Sequence, residues 1–402
     1  MIQDRSASAI IRAGEPIDCH PRTRHLLTQQ NWFDMAHALP AEPGLAFTAL
    51  WADATHIHAL FHADGPLLAS VPVEAGLYTA LSPARPGATF FERAVSDLWG
   101  HQAADAADTR PWLDHGVWPT LRPLSDRPVP NAAAPTDAEP DIPDMTDHPG
   151  EALSSGPLPP GPAAPSYWRA TITGNHVQNL EARFGWAHRG VLGLMRGKSP
   201  ARFAARIDGA ATVAHSTAFA RAVEAAVRFT PPPAALGLRA LMLALERAAI
   251  GLHDIHATAT ALGLALPAAI TARAALLDAC ATVFGHRLMM DCVKPGGVAS
   301  EPTAESLAAL DDTLATIAPL HRAWPDIGAL PLRDALRLST PGAAGRAAGR
   351  LDPAMPEATL LTTGDLAARM ALLATAIDDD VEAARTHLAN LPAGATTAIL
   401  PH

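Results

Sequence analysis

Residues 128–160 read PVPNAAAPTDAEPDIPDMTDHPGEALSSGPLPP, with many prolines, six carboxylates and no lysine or arginine. Proline removes amide donors and fixes the backbone, and like charges repel. Such a stretch cannot bury enough apolar surface to offset the entropy of ordering it. It predicts a semi-extended linker. A chain interrupted in this way has to close two separate cores, within 1–127 and within 161–402, and that division limits every fold open to it. With 402 residues, 49% of them hydrophobic and 17% charged, there is material for both.

In the first part, residues 1–30 are polar and predict a frayed arm. From Leu45 the chain reads LAFTALWADATHIHALFHADGPLLASVPVE, which alternates or runs apolar around an Asp64-Gly65 turn signal and predicts two or three strands. FFERAVSDLWG at 90–100 predicts a short helix, with Phe91, Val95, Leu98 and Trp99 on one face. This part reads as a small α/β sandwich.

The second part begins with YWRATITGNHVQNLEARFGW, a predicted strand pair, and then turns helical. One helix follows the loop in SPARFAARIDGAATVAHSTAFARAVEAAVRF. A long one spans LGLRALMLALERAAIGLHDIHATATALG, where Arg239, Glu246 and His253 fall seven apart and predict one polar face on an apolar rod. TAESLAALDDTLATIAPLHRAW is another amphipathic run. The last helix, within 364–394, opens at Asp365 as its N-cap. The fold class predicted is α+β: a small N-terminal α/β domain (1–127), the linker (128–160) and a mostly helical domain with a minor β-element (161–402).

A formal net charge of −10 excludes a general nucleic-acid binder, which would carry a basic face. Three cysteines, Cys19, Cys280 and Cys292, form no CxxC pair. So sparse a set predicts a reducing compartment and excludes an all-cysteine Fe–S cluster held by this chain alone. MIQDRSASAIIRAGEP carries charge early and lacks the apolar run of a signal peptide. ATATALGLALPAAITA, 257–272, falls short of the roughly 20 residues of a membrane helix. A soluble chain is expected, able to sit on a membrane complex.

Few residues point to chemistry on their own. His56, His58 and His62 fall in a predicted strand, and His56 and His58 share a face. That is a conceivable metal pair, but the expectation is a half-exposed strand, with no carboxylate or cysteine completing a ligand set. The carboxylates of IDDDVE, Asp378–Asp380, are consecutive on a helix and predict a solvated surface. There is no P-loop, GxGxxG or GxSxG.

More informative is a series of phrases in order: FFERAVSDLWG, DTRPWLDHGVWPTLRPL, AHRGVLGL, ARIDGAATVAHSTAFARAVEAA, ALERAAIGLHDI, GHRLMMDCVKPGGV and GDLAARM. In this order the chain resembles two subunits of respiratory complex I joined together. Glu92, Arg93, Asp97, Trp99, Gly100, Asp108, Arg110 and Leu113 match the signature of its small C-type hydrophilic subunit. The later phrases resemble its D-type subunit and the large subunits of membrane-bound, energy-converting NiFe hydrogenases of the formate hydrogenlyase type, which carry the same fusion.

The resemblance implies a set of site positions. Hydrogenases hold nickel and iron with four cysteines in two CxxC motifs, as soft thiolates suit those metals. The first pair falls here on Asp208 and Ala211, followed by the retained His215. The second pair is expected near a C-terminus that the chain lacks, so the helical domain reads as C-terminally truncated. A proton-transfer glutamate after His188-Arg189-Gly190 falls on Leu192. In complex I the first cysteine is an aspartate, as at Asp208, and the cavity takes quinone. Its histidine and tyrosine contacts fall on Ala164 and Gly209. An arginine and a histidine near the terminal Fe–S cluster of a neighbouring subunit fall on Arg206 and Gly251.

Arg206, Asp208, His215 and His188 are therefore the remnant-pocket candidates. Two readings stay open: a reshaped pocket in which Arg206 lowers the pKa of Asp208 and His215 moves protons, or a structural ion pair beside a packed histidine. The resemblance implies no cofactor in this chain, with neither a NiFe centre nor a metal site. It implies partners in an Fe–S subunit like the complex I B-type and in membrane subunits, with quinone as an alternative ligand. It places the chain in the cytoplasm, peripheral on the inner face of the cell membrane, as a structural or catalytically altered subunit. A stand-alone scaffold or assembly protein is the other reading.

Overall fold

The computed structural model describes residues 6–132, 150–156, 165–186, 188–351 and 357–401. Contacts divide the chain into Met1–His188 with Leu330–Leu360, and Arg189–Ala329 with Leu361–His402. The break thus falls after His188, not across 128–160.

The first unit opens with α1 (Ala7–Arg12), β1 (Glu15–Ile17) and β2 (Arg24–Leu26), in place of the frayed arm that polarity predicts. Ser6 caps α1 by accepting from the Ala9 N–H, and Ala7 and Ile11 are fully buried. Next come α2 (Gln29–Ala38), β3 (Ala46–Ala52), β4 (His56–His62) and β5 (Pro66–Pro72), the three strands that alternation predicts. The sheet order is β1-β2-β5-β4-β3, parallel only between β2 and β5. Trp32 and Met35 of α2 share one core with Ile57, Phe61 and Val71 of the sheet.

After β6 (Leu77–Thr79), α3 (Thr89–Trp99) ends at Gly100 in the left-handed conformation (φ 82°), and β7 (Gln102–Ala104) returns parallel to β6. The buried face of α3 departs from the apolar stripe in the sequence. Val95 is buried, but Phe91 is 37% exposed, while Glu92 and Arg93 are only 2% and 7% exposed. These charges are bound to backbone. Glu92 Oε1 accepts from the Leu81 and Ser82 N–H groups at 2.5 and 3.0 Å. Arg93 donates to the carbonyls of Arg110 and Pro111, both at 2.6 Å, and pairs with Asp108 at 3.1 Å. Asp97 Oδ2 accepts from Trp112 and Leu113 at 2.8 and 2.7 Å. Arg93 and Asp97 thus clasp 108–114 to α3, while Glu92 ties the helix to Leu81 and Ser82.

Short strands β8 (Thr120–Leu121) and β9 (Val129–Pro130) pair, and β10 (Glu151–Ser155), β11 (Tyr167–Thr173) and β12 (His176–Arg183) form an antiparallel sheet. Glu151–Ser155 lies inside the predicted linker. It is free of proline, so its amides can complete the ladder to β11. Trp112 joins this sheet to α3, stacking against Phe90 at 4.4 Å and Phe184 at 4.8 Å.

The second unit holds α4 (Val191–Met195), α5 (Ala201–Ala204), α6 (Thr212–Ala226), α7 (Pro233–Ala261), α8 (Pro267–Phe284), the hairpin β13 (Val293–Lys294) and β14 (Gly297–Val298), and α9 (Ala304–Ala315). Helices α10 (Leu332–Arg337) and α11 (Gly342–Ala347) belong to the first unit, and α12 (Leu366–Ala389) returns to the second. Asp365 caps α12 as predicted, accepting from Ala368 N–H at 2.7 Å. The central helix α7 packs against α6, α8 and α12, and α9 against α8 and α12. A Cβ at Gly251 would lie 2.7 Å from Ile377 Cγ1, so this glycine sets the close approach of α7 and α12. A histidine would not fit the seam.

The predicted polar face of α7 is buried instead. Arg239 and Glu246 are 3% and 4% exposed. Arg239 makes two bonds to Glu224 of α6, at 2.6 and 2.9 Å, and donates to the carbonyls of Lys294 and Gly297. Asp380, inside the acidic run read as solvated, is also buried and paired with Arg247. Among the described residues, α8 is the helix long and apolar enough to cross a membrane by length and composition. Its Leu276, Leu277, Cys280 and Phe284 belong to the core of this unit. Pro267 starts that helix and does not interrupt an earlier one, so the window 257–272 straddles its beginning.

Candidate functional site

The loop between α5 and α6, with the first turn of α6, carries three of the four sequence-predicted residues. Asp208 turns back on its own loop, and Oδ1 accepts from the N–H groups of Ala210 and Ala211 at 2.6 and 3.0 Å. These two donors hold its pKa below the usual carboxylate range, with smaller contributions from His215 and Arg189. Arg206 does not pair with Asp208. It crosses to Asp291, beyond α8, in a two-pronged ion pair with both bonds at 2.7 Å. The bridge lowers the pKa of Asp291 and raises that of Arg206. Local spacing suggested the first pair, but an Asx turn uses the nearer carboxylate, and the tertiary fold supplies a better-placed one.

His215 sits half-buried in the first turn of α6. His188 falls in the other unit, where it stacks on Trp118 at 5.1 Å and partial desolvation lowers its pKa. Ala164 lies outside the described residues.

The sequence reading missed the central carboxylate. Ala211, at the N-cap of α6, has no side chain to offer the first amides of the helix. Glu246, reaching across from α7, accepts from the N–H of Val213 at 2.6 Å and of Ala214 at 2.9 Å. Burial raises the pKa of Glu246, against these donors and the Thr212 hydroxyl, which lower it. Thr212 also donates to the Leu288 carbonyl. A carboxylate that caps a helix from another helix leaves no local motif.

Behind this loop lies a cavity of about 170 Å³, lined by Gly209, Glu246, Arg273, Cys280, Arg287 and Met289 among others. Gly209, the position of the quinone tyrosine, contributes no side chain to it. The free thiols do not supply a soft donor set. Cys280 is buried, its pKa pushed up to about 12 by desolvation and by the neighbouring Cys292, whose own pKa burial also raises. Among the described residues no group of three or more His, Cys, Asp or Glu side chains gathers as a metal site. With the carboxylate of Asp208 engaged by its own backbone and a methyl at Ala211, the residues here do not fit a thiolate-held NiFe centre.

Of the β4 histidines, His58 links two side chains. His58 bonds Ser70 Oγ through Nδ1 at 2.7 Å and Asp53 Oδ2 through Nε2 at 3.1 Å. Ser70 is fully buried. His56 meets Thr55, and His62 meets the Ala63 carbonyl.

No family profile matches the chain. It is 30% identical over 200 residues to formate hydrogenlyase subunit 5 of Escherichia coli (strain K12), a match covering 47% of this chain and 34% of that protein. It is 28% identical over 169 residues to the D subunit of NADH-quinone oxidoreductase from Desulfitobacterium hafniense (strain Y51), covering 40% of this chain and 45% of that protein. To hydrogenase-4 component G of Escherichia coli (strain K12) it is 26% identical over 193 residues, covering 44% and 34%. The matches therefore span less than half the length of each relative.

Proposed function

We propose that this chain, a distant relative of the complex I and hydrogenase large subunits, is a non-catalytic or catalytically altered subunit of a membrane-associated oxidoreductase complex. The observation that carries the reading is the loop Arg206–Ala211. At the positions that the resemblance assigns to two metal thiolates it holds a self-capping aspartate and an alanine. A relative of these subunits without those ligands suits a subunit retained for assembly or for binding.

In that role the chain docks an Fe–S subunit and membrane subunits, peripheral on the inner face of the membrane, and holds no cluster of its own. The position of a quinone-binding tyrosine is Gly209, so the hydrogen-bond donor for a quinone headgroup is missing from this wall.

Co-purification tests the proposal. Tagged chain expressed in its native host is extracted in mild detergent, and the eluate is examined by mass spectrometry and by EPR after reduction. Fe–S and polytopic subunits in fixed stoichiometry are expected. Elution alone in the soluble fraction overturns the reading and favours a stand-alone scaffold. Stoichiometric nickel in the purified chain overturns the reading that the metal site is lost.

A further inference from the structure

The cavity behind the loop has an unbalanced charge. Arg273 (on α8) and Arg287 (on the turn after it) both line it. Neither forms an ion pair among the described residues. Arg273 Nε donates to the Ala249 carbonyl at 3.2 Å, which ties the guanidinium to α7. Burial first, and then the charge of Arg287, lowers the pKa of Arg273, and Asp254 acts in the opposite direction.

Glu246 also lines the cavity, with its oxygens accepting from the α6 amides, so the lining carries two guanidiniums against one carboxylate. The remaining wall is apolar: Leu245, Ile250, Leu277 and Met289. At about 170 Å³ the space equals roughly six waters' share of liquid volume, enough for a small organic molecule. Two guanidiniums without an ion-pair partner among the described residues, in the lining of an otherwise largely apolar cavity, match a carboxylate carrying a compact hydrocarbon body.

We propose that this cavity is a binding site for a small organic carboxylate, its anionic end held between Arg273 and Arg287 and its apolar body against Leu245, Ile250, Leu277 and Met289. The site lies within one compact unit and does not depend on the chain's membership of a complex.

Isothermal titration of the purified full-length chain tests it with benzoate and isovalerate as probes. Benzamide serves as the neutral isostere and sulfate as an anion without an apolar body. Saturable binding of at least one carboxylate is expected, with benzamide and sulfate weaker by roughly tenfold or more. Arg287→Gln, on the exposed turn, should weaken carboxylate binding by a similar factor without changing thermal unfolding. Ala210→Phe, on the exposed loop, should block the cavity and abolish binding. Binding of benzamide equal to that of benzoate, sulfate as good as either carboxylate, unchanged affinity in both variants, or no carboxylate binding in the millimolar range would each overturn the proposal. A failed co-purification with membrane subunits leaves this site untouched, and failure of this site leaves the subunit reading untouched.

Discussion

Replacing Arg239 by methionine is expected to destabilise the second unit by several kcal/mol, about 3–5. Arg239 and Glu224 have side chains only 4% and 5% exposed, so neither charge can turn to water when its partner is lost. Removing one member of such a pair costs about 3–5 kcal/mol. In a unit of this size about 4 kcal/mol corresponds to a fall of roughly 8–16 °C in Tm.

The arginine also supplies the donors for the Lys294 and Gly297 carbonyls, and Glu224 Oε1 accepts from the Gly296 N–H at 2.8 Å. The pair is therefore the anchor of the β13–β14 hairpin. Buried ion pairs can often be exchanged for apolar residues at little cost, but here Arg239→Met with Glu224→Leu would strand backbone groups at about 1–3 kcal/mol each. The double variant is thus expected to stay about 5 kcal/mol below the parent. Two single losses of about 4 kcal/mol then give a coupling of about 3 kcal/mol. Urea unfolding gives the cycle, and hydrogen exchange at Gly296 and Val298 reports the hairpin, which should lose protection before the rest of α7. Additive singles, a loss below about 1 kcal/mol for Arg239→Met, or unchanged exchange at the hairpin would show that the pair is not the anchor.

Other tests address the remaining features. Asp97→Ala should destabilise the first unit by about 1–3 kcal/mol, because the Trp112 and Leu113 N–H groups lose their acceptor; an unchanged Tm would rule out the clasp. The His58 link should make the first unit acid-sensitive. Burial lowers the pKa of His58, so its neutral ring favours the fold, and stability falls as pH drops from 6.5 toward the depressed value. Asp53 acts in the same direction lower down. Burial alone would raise its pKa, but the N–H groups of Thr55 and His56 and the His58 ring hold it at about 2, so its contribution is present above 3.8 and lost toward 2. His58→Phe should remove the upper limb of a melting-versus-pH curve, and an identical curve would count against the link. Cys280 should resist thiol reagents at pH 8 until the chain unfolds, since burial holds its pKa at about 12 while Cys19 is accessible; labelling of native Cys280 as fast as Cys19 would contradict that burial. Arg206→Ala should cost less than about 1 kcal/mol, as the Arg206–Asp291 pair is more than a third exposed; a larger loss in urea unfolding would mean the pair braces the loop.

The strands at 46–72, α3, the β11–β12 hairpin, the long α7 and the Asp365 cap were all legible, because each is written in a local period or a cap residue. The resemblance was legible too, and relatives at 26–30% identity bear out the family reading. Misreadings collect where polar residues are buried. In sequence Arg239 and Glu246 read as a polar face and Asp380 as a solvated surface, and all three are buried against partners on other elements. The end of the acidic stretch was misread for the same reason: Glu151–Ser155 becomes a strand only because β11 offers it a ladder.

The order of amino acids set which side chains were available: a loop with Asp208 and Ala211 where a metal would need thiolates, a glycine at 209, and two distant arginines in otherwise apolar helical segments. How those groups are used was settled by the closing of the fold. Arg206 answers to Asp291, Glu246 caps a helix it is not part of, and Arg273 and Arg287 line one cavity. Composition and local spacing fix which charges a chain carries. The price of burying a charge, and the partner that offsets it, depends on neighbours brought together only when the core closes.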